Sequence, residues 1–156
     1  MTVYLGADHR GFQLKSELLE WLTQAGFAVI DCGNIAHDTR DDYPEFALAV
    51  GKAVAKEPQA RGIVLCGTGV GVMIAANKVP GVRAAMAWRP EVAQQARTDD
   101  DVNVLALAAN FLTIEEAKPL VEAFLHTDFS QAERFTRRLQ QITKYEQEVA
   151  RGNGHS

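Results

Sequence analysis

The sequence predicts an α/β domain with a doubly wound, mainly parallel sheet of about five strands and an extra long C-terminal helix. The first observation behind this prediction is that short apolar runs alternate with segments whose apolar residues recur at helical spacing. The second is that residues 62–66 are continuously apolar, as in strands buried on both faces of a parallel sheet. We therefore expect right-handed βαβ crossovers and a Rossmann-like (flavodoxin-like) order of layers.

The individual elements follow from apolar periodicity and from turn residues. The strand candidates are residues 1–6, 27–30, 62–66, 82–88 and 104–108. The helix candidates are residues 12–25, 44–56, 72–78, 91–97, 113–125 and 130–150. Thr113 is the expected N-cap of the fifth helix, and Glu116 completes a capping box. Residues 1–150 then form a single domain, and residues 151–156 a flexible tail.

Length and composition narrow the class of protein. The chain has 156 residues, 47% of them hydrophobic and 23% charged, with a formal net charge of −4. This acidic balance argues against nucleic acid or a membrane surface as a partner, because both are polyanions. Cys32 and Cys66 lack the CxxC spacing of metal or redox sites, which favours reduced thiols. With no signal-peptide pattern and no long apolar run, we expect a cytoplasmic location.

Ligands of doubly wound sheets bind at the carboxyl ends of the strands, and we expect three polar segments there. These segments are residues 7–10, the glycine loop 66–71 and the Asp-rich stretch before Asn103.

The glycine loop leaves a buried strand and enters a helix. Its glycines allow backbone N–H groups to approach a bound anion, although the spacing is neither a dinucleotide fingerprint nor a P-loop. A purely structural turn is the alternative. Cys66 at the strand end and Thr68 beside it favour a site, since a thiolate near helix-start amides acts as a base. Abstraction of a proton α to a carbonyl is one reading, and covalent catalysis by the cysteine is its rival.

Two further groups of residues are candidates. Asp8 and His9 follow the first strand, either as site residues or with Asp8 as a helix N-cap. Arg134 and Arg138 share a face of the last helix, either as a fork for phosphate or as a solvated basic surface. The four histidines show no metal-ligand spacing, and we predict neither a metal nor a cofactor.

A set of motifs in one order gives a family resemblance that covers about residues 2–148. The motifs are Gly6-Ala7-Asp8-His9-Arg10-Gly11, Asp42-Tyr43-Pro44, Cys66-Gly67-Thr68-Gly69-Val70-Gly71, Ile74-Ala75-Ala76-Asn77-Lys78, Asn103-Val104-Leu105, and Arg134 with Arg138. The chain resembles the ribose-5-phosphate isomerase type B family, which also contains the galactose-6-phosphate isomerase subunits. The resemblance implies a metal-independent aldose–ketose isomerase that works through a cis-enediolate. It also implies a homodimer or tetramer whose sites are shared between subunits.

The resemblance also implies a role for each matching residue. Cys66 matches the base that moves a proton between C1 and C2, and Thr68 matches the hydroxyl that assists transfer between the oxygens. Asp8 matches a residue that binds sugar hydroxyls and aids proton shuttling. The backbone of Gly67, Gly69, Val70 and Gly71 matches the anion hole for the enediolate. His9, Arg134 and Arg138 match phosphate ligands, and Tyr43 matches a residue that lines the site.

The sequence departs from the family pattern at two places. Family members typically carry His-Asn, given by the partner subunit, where this chain has Asp99 and Asp100. The histidine of the family resembles an acid/base catalyst that opens the furanose ring of the sugar. Either Asp99 replaces this histidine, or the substrate of this chain needs no ring opening. Asn110 stands where members have a phosphate-binding arginine, and we expect it on the face given to the neighbouring subunit.

The leading hypothesis is therefore interconversion of ribose 5-phosphate and ribulose 5-phosphate. Isomerisation of a tetrose or hexose phosphate is the first alternative, because of Asp99 and Asn110. A non-catalytic sugar-phosphate-binding subunit and a flavodoxin-like cofactor-binding module are the others.

Overall fold

Five parallel strands form one sheet in the order β2-β1-β3-β5-β4, as seen in a computed structural model that describes residues 1–152. The strands are β1 (Thr2–Ala7), β2 (Ala28–Asp31), β3 (Arg61–Cys66), β4 (Ala84–Met86) and β5 (Val104–Ala108). The helices are α1 (Phe12–Gln24), α2 (Tyr43–Lys56), α3 (Val70–Ala76), α4 (Pro90–Asp100), α5 (Ile114–His126) and α6 (Glu133–Gly152). The predicted fold class is thereby confirmed, long C-terminal helix included.

Both faces of the sheet are covered. On one face the odd positions of β3, such as Ile63 and Leu65, pack with buried residues of α1, α4 and α5. On the other face Val64 and Cys66 pack with residues of α2 and α3. Every residue of β3 is buried, which agrees with the continuous apolar run and places this strand at the centre of the domain.

The boundaries of the helices and strands agree with the sequence-based prediction in some places and differ in others. Thr113 caps α5 through Oγ1, which accepts from the Glu116 N–H at 3.3 Å, and the predicted capping box is complete. Strand β4 is shorter than the predicted 82–88, since it pairs only with β5 at the edge of the sheet. Helix α6 begins at Glu133 and ends at Gly152, beyond the predicted start of the tail, and residues 153–156 lie outside the described residues. In residues 1–152, no helix is long and apolar enough to cross a membrane.

Helix α6 lies along the amino-terminal edge of the sheet. Just before the helix, the Ser130 N–H donates to the carbonyl of Thr98 in the last turn of α4, at 3.1 Å. Near its other end, Glu146 accepts from the Gly81 N–H at 3.1 Å, three residues before β4 begins. Among its described residues only Phe135 is buried. The helix therefore presents most of its surface away from the domain.

Candidate active site

The carboxyl ends of β1, β3 and β5 place polar residues side by side, because these three strands are neighbours in the sheet. Asp8 directly follows β1, and Cys66 is the last residue of β3. Cys66 pairs with Ala108 of β5, so that Asn110 follows at the same level. The prediction that residues 7–10 and the glycine loop meet at one edge is borne out by this arrangement.

Asp8 is 6% exposed and organises the turn between β1 and α1. Its Oδ1 accepts from the backbone N–H groups of Arg10 and Gly11 at 3.0 and 3.1 Å. The N-cap of α1 is Gly11, so the alternative of Asp8 as the cap is not what the structure shows. The carboxylate instead closes an Asx turn just before the helix, which holds it at the sheet edge.

His9 is held by Asp41, a residue of the loop before α2 that the sequence did not single out. Asp41 Oδ1 accepts from the backbone N–H of His9 at 2.9 Å and lies 2.7 Å from His9 Nδ1. The amide of Asn34 donates to Asp41 Oδ2 at 3.3 Å. Since the Nδ1 side of the imidazole is occupied, its Nε2 side is the one left for a ligand.

Two opposing effects act on the carboxyl of Asp41. Burial raises its pKa, whereas the hydrogen bonds from the ring and backbone of His9 and from Asn34 lower it. The net result is a pKa below the usual value, which means that the folded chain stabilises the carboxylate. No local sequence pattern separates this acid from Asp38 and Asp42 in the same polar loop, and the missing signal is a long-range contact.

The glycine loop offers backbone donors beside Cys66. Gly69 has φ of 75°, a left-handed conformation that side chains rarely adopt. Thr68 Oγ1 accepts from the Val70 N–H at 3.4 Å, so one amide of the predicted anion hole is weakly engaged. The amides of Thr68, Gly69 and Gly71 donate to no group within residues 1–152. Cys66 is 5% exposed and directly precedes the loop that carries these amides.

Tyr43 and Asn110 close the sides of the loop. A Cβ at Gly71 would lie 2.7 Å from Tyr43 Cζ, so the ring packs flush on the glycine. A Cβ at Gly67 would lie 2.8 Å from both Arg10 Cδ and Asn110 Nδ2. These contacts bring the predicted lining residue Tyr43 to the site and add Arg10, which the sequence analysis did not assign.

Asn110 lies beside the glycine loop of its own chain. Its backbone N–H donates to the carbonyl of Gly67 at 3.0 Å, and its expected place on the face given to a neighbouring subunit stays a prediction. The contact with Gly67 forms because β5 is adjacent to β3, and the 3-10 turn 109–111 follows β5 immediately.

Four predicted site residues lie at the opposite edge of the sheet. Asp99 and Asp100 end α4 and precede β5, so the expectation that the Asp-rich stretch lies at the carboxyl ends of the strands is wrong. Arg134 and Arg138 lie on α6, with their guanidinium groups 4.3 and 5.8 Å from the ring of Phe135. Within one chain, the structure therefore does not bring these four side chains to Cys66.

One group of described residues has the composition of a metal site. Asp8, His9 and Asp41 each offer a ligand atom, and these atoms lie within 4.8 Å of one another. However, His9 Nδ1 and Asp41 Oδ1 are already bonded to each other, and Asp8 Oδ1 holds two backbone amides. A cation bound through His9 Nδ1 would have to replace the hydrogen bond to Asp41 Oδ1.

The chain is similar to known isomerases over nearly its whole length. A family model described as Ribose/Galactose Isomerase matches residues 3–142. Ribose-5-phosphate isomerase B of Mycolicibacterium paratuberculosis is 44% identical over 146 residues, 94% of this chain and 92% of the relative. The corresponding protein of Escherichia coli K12 is 41% identical over 145 residues, 93% and 96% of the two chains.

Solved structures agree with the sequence matches. The crystal structure of ribose-5-phosphate isomerase B from Mycoplasma genitalium with bound ribulose-5-phosphate has a TM-score of 0.90 and 41% identity, and the match covers 94% of this chain and 97% of that one. The enzyme of Clostridium thermocellum has a TM-score of 0.89 at 39% identity, with 96% and 99% covered. Fold, motifs and identity agree, and the chain belongs to the ribose/galactose isomerase family.

Proposed function

We propose that this chain interconverts ribose 5-phosphate and ribulose 5-phosphate without a metal ion. The observation that carries the proposal is the set of groups at one sheet edge: a carboxylate, an imidazole, a thiol, a hydroxyl and unpaired backbone amides. Proton transfer between adjacent carbons needs a base and donors for an oxyanion, and this edge holds both. A relative of 41% identity, with ribulose-5-phosphate bound, supports the choice of substrate.

Cys66 is the proposed base. As a thiolate it removes the proton from C2 of the open-chain aldose, and the electron pair forms the C1–C2 double bond of an enediolate. The charge on O1 is stabilised by the amides of Thr68, Gly69 and Gly71. The Thr68 hydroxyl gives its proton to O1 and takes the one on O2, and the Cys66 thiol returns its proton to C1. The ketose leaves with no net change of protons in the enzyme.

Asp8 and His9 are proposed to bind and orient the sugar phosphate. The free oxygen of the Asp8 carboxylate accepts from sugar hydroxyls, while its Oδ1 stays on the turn amides. His9 is half-buried, and its Nε2, which makes no hydrogen bond within residues 1–152, is the proposed donor to the phosphate. Tyr43 and Asn110 limit the width of the site on either side of the glycine loop.

We further propose that two copies of the chain share each site. Asp99, Asp100, Arg134 and Arg138 are at the amino-terminal edge, where they face away from their own Cys66. The exposed arginines suit the phosphate of a substrate held by a second chain. Such an assembly is supported by exposed apolar side chains on the two helices that would meet. They are Val70 and Ile74 on α3 and Ile142 and Tyr145 on α6.

The experiment that tests the reaction is a coupled isomerase assay with a chelator present. Cys66→Ala is expected to lower kcat by about 1,000-fold, in the range for loss of a positioned acid–base group. Cys32→Ala, the only other cysteine, is the matched control and should keep full activity. Full activity of Cys66→Ala would refute the assignment of the base.

A mixing experiment tests the shared site. Cys66→Ala protein and Arg134→Ala/Arg138→Ala protein should each be inactive. When they are unfolded and refolded together, each mixed dimer has one intact site, and about a quarter of wild-type activity should return. No recovery, with mixed dimers shown by mass spectrometry, would contradict sharing.

A second candidate is isomerisation of another sugar phosphate, such as a tetrose or hexose phosphate. Asp99 and Asn110 favour it, because they remove one imidazole and one cation relative to the typical family pattern. A substrate panel decides between the two: kcat/KM should be greatest for ribose 5-phosphate if the leading proposal is right. Activity limited to a shorter or longer sugar would favour the second candidate.

A further inference from the structure

A second polar cavity lies at the amino-terminal edge of the sheet, away from Cys66. It has a volume of about 460 Å³, and six polar side chains contribute to its lining. They are Gln59, Arg61, Arg97, Asp101, Asp128 and Gln131. The cavity is formed where β3 begins and where α4 and α5 end, at the far end of the strand that carries the thiol.

Arg61 is the unusual member of this group. It is only 9% exposed, and its Nη1 donates to the carbonyl of Ala60 at 2.8 Å. Its Nε is buried with no hydrogen-bond partner, the single such side-chain atom within residues 1–152. No carboxylate oxygen of that part of the chain lies within 4.0 Å of its guanidinium. A buried cation with an unpaired donor calls for an anionic partner.

The charges of Arg97 and Asp101 are already engaged. Arg97 is 1% exposed and donates from Nη1 to Asp101 Oδ1 at 2.7 Å and from Nε to the Thr127 carbonyl at 3.1 Å. Arg83 Nη2 donates to the other oxygen of Asp101 at 2.9 Å. Asp101 is thus neutralised by two arginines and is not available to Arg61. Burial, and next the proximity of Arg97, lower the pKa of Arg61, and the charges of Asp101 and Asp128 offset only part of this effect.

We propose that this cavity binds a phosphate group, either as inorganic phosphate or as a small ester. The guanidinium of Arg61 matches the oxygens of phosphate in geometry and charge. The amides of Gln59 and Gln131 supply further donors, and the carboxylate of Asp128 accepts the proton of a singly protonated phosphate. None of the residues lining this cavity is assigned to the proposed isomerase site, and the inference holds whether or not that proposal is right.

The test is the phosphate-dependent rise in melting temperature of the full chain, with chloride at matched ionic strength as reference. Gln59→Glu places a negative charge at the exposed rim of the cavity, and Arg61→Gln removes the cation. Gln147→Glu, an exposed substitution on α6, is the matched control. All variants keep the residues at Cys66, so phosphate bound there contributes equally. Isomerase activity of each variant reports that it is folded.

With a Kd of about 1 mM, 20 mM phosphate should raise the melting temperature of wild type and of Gln147→Glu by about 5 °C. Gln59→Glu and Arg61→Gln should show less than half of that rise. Methyl phosphate in a parallel titration separates the two sources: an equal rise means that the phosphate group alone is bound, and a rise with inorganic phosphate only means that the free ion is the ligand. Equal rises in all four proteins would overturn the proposal.

Discussion

Replacing Asp41 by asparagine tests whether the acid holds His9 in place. The side chain of Asp41 is 6% exposed and accepts three hydrogen bonds, two of them from His9. An asparagine keeps one acceptor oxygen, but its NH₂ group then faces the donor amide of Asn34. Hydrogen bonds to a charged group contribute about 1.5–3 kcal/mol, and we expect Asp41→Asn to lower the free energy of unfolding by about 2 kcal/mol at pH 7.

The pH dependence of that loss is a sharper test. Because the pKa of Asp41 is lowered in the folded chain, the carboxylate contributes stability above the pKa of the unfolded chain, about 3.9. The contribution disappears as the pH falls through the lower, folded pKa. The difference between wild type and Asp41→Asn should thus be largest at neutral pH and shrink below about pH 4.

Urea unfolding at several pH values measures this difference, and a steady-state assay at pH 7.5 measures the effect on the substrate. We expect KM for ribose 5-phosphate to rise by about tenfold with a smaller change in kcat, because the imidazole loses its orientation. Asp42→Asn is the control, since Asp42 is exposed and its side chain makes no cap hydrogen bond. A stability difference that stays constant from pH 7 to pH 3 would refute the reasoning.

Three further predictions concern packing, helix capping and a buried ion pair. Gly71→Ala places a methyl group 2.7 Å from the ring of Tyr43, so KM should rise about tenfold while circular dichroism stays unchanged; an unaltered KM would show that the ring moves freely. Thr113→Ala removes the N-cap of α5 and should cost about 1 kcal/mol in urea unfolding, a loss that Thr113→Ser should largely restore. Lys15 is 1% exposed and donates to a carboxylate and a carbonyl, both at 2.6 Å. Lys15→Met should therefore lower stability by about 3 kcal/mol, and a variant as stable as wild type would mean that the ion pair contributes nothing.

The sequence was sufficient for features that depend on neighbouring residues. We correctly predicted the buried strand β3, the capping box of α5 and the order of strands and helices. Each of these features depends on residues that are close together in the sequence. The meeting of Asp8 and the glycine loop also followed, since parallel strands place their carboxyl ends at one edge.

Features that depend on distant contacts were missed. The partnership of Asp41 with His9 joins positions 32 residues apart, and no local pattern marks it. Asp99 and Asp100 were expected at the carboxyl ends of the strands, although they precede β5 and so belong to the other edge. The contact of Asn110 with Gly67 of its own chain was not predicted either, because it follows from the adjacency of β3 and β5.

The position of β3 in the sheet has a consequence for how the chain fluctuates. Strands β2 and β4 are the edges, and β4 has only three residues, so the openings of lowest free energy should begin there. Asp8 and Cys66 are anchored instead to β1 and β3, which have partners on both sides. Their amides should exchange with solvent more slowly than those of β4. Partial unfolding would then leave the spacing of the reactive groups intact, and the chain would lose its outer strands before it loses its site.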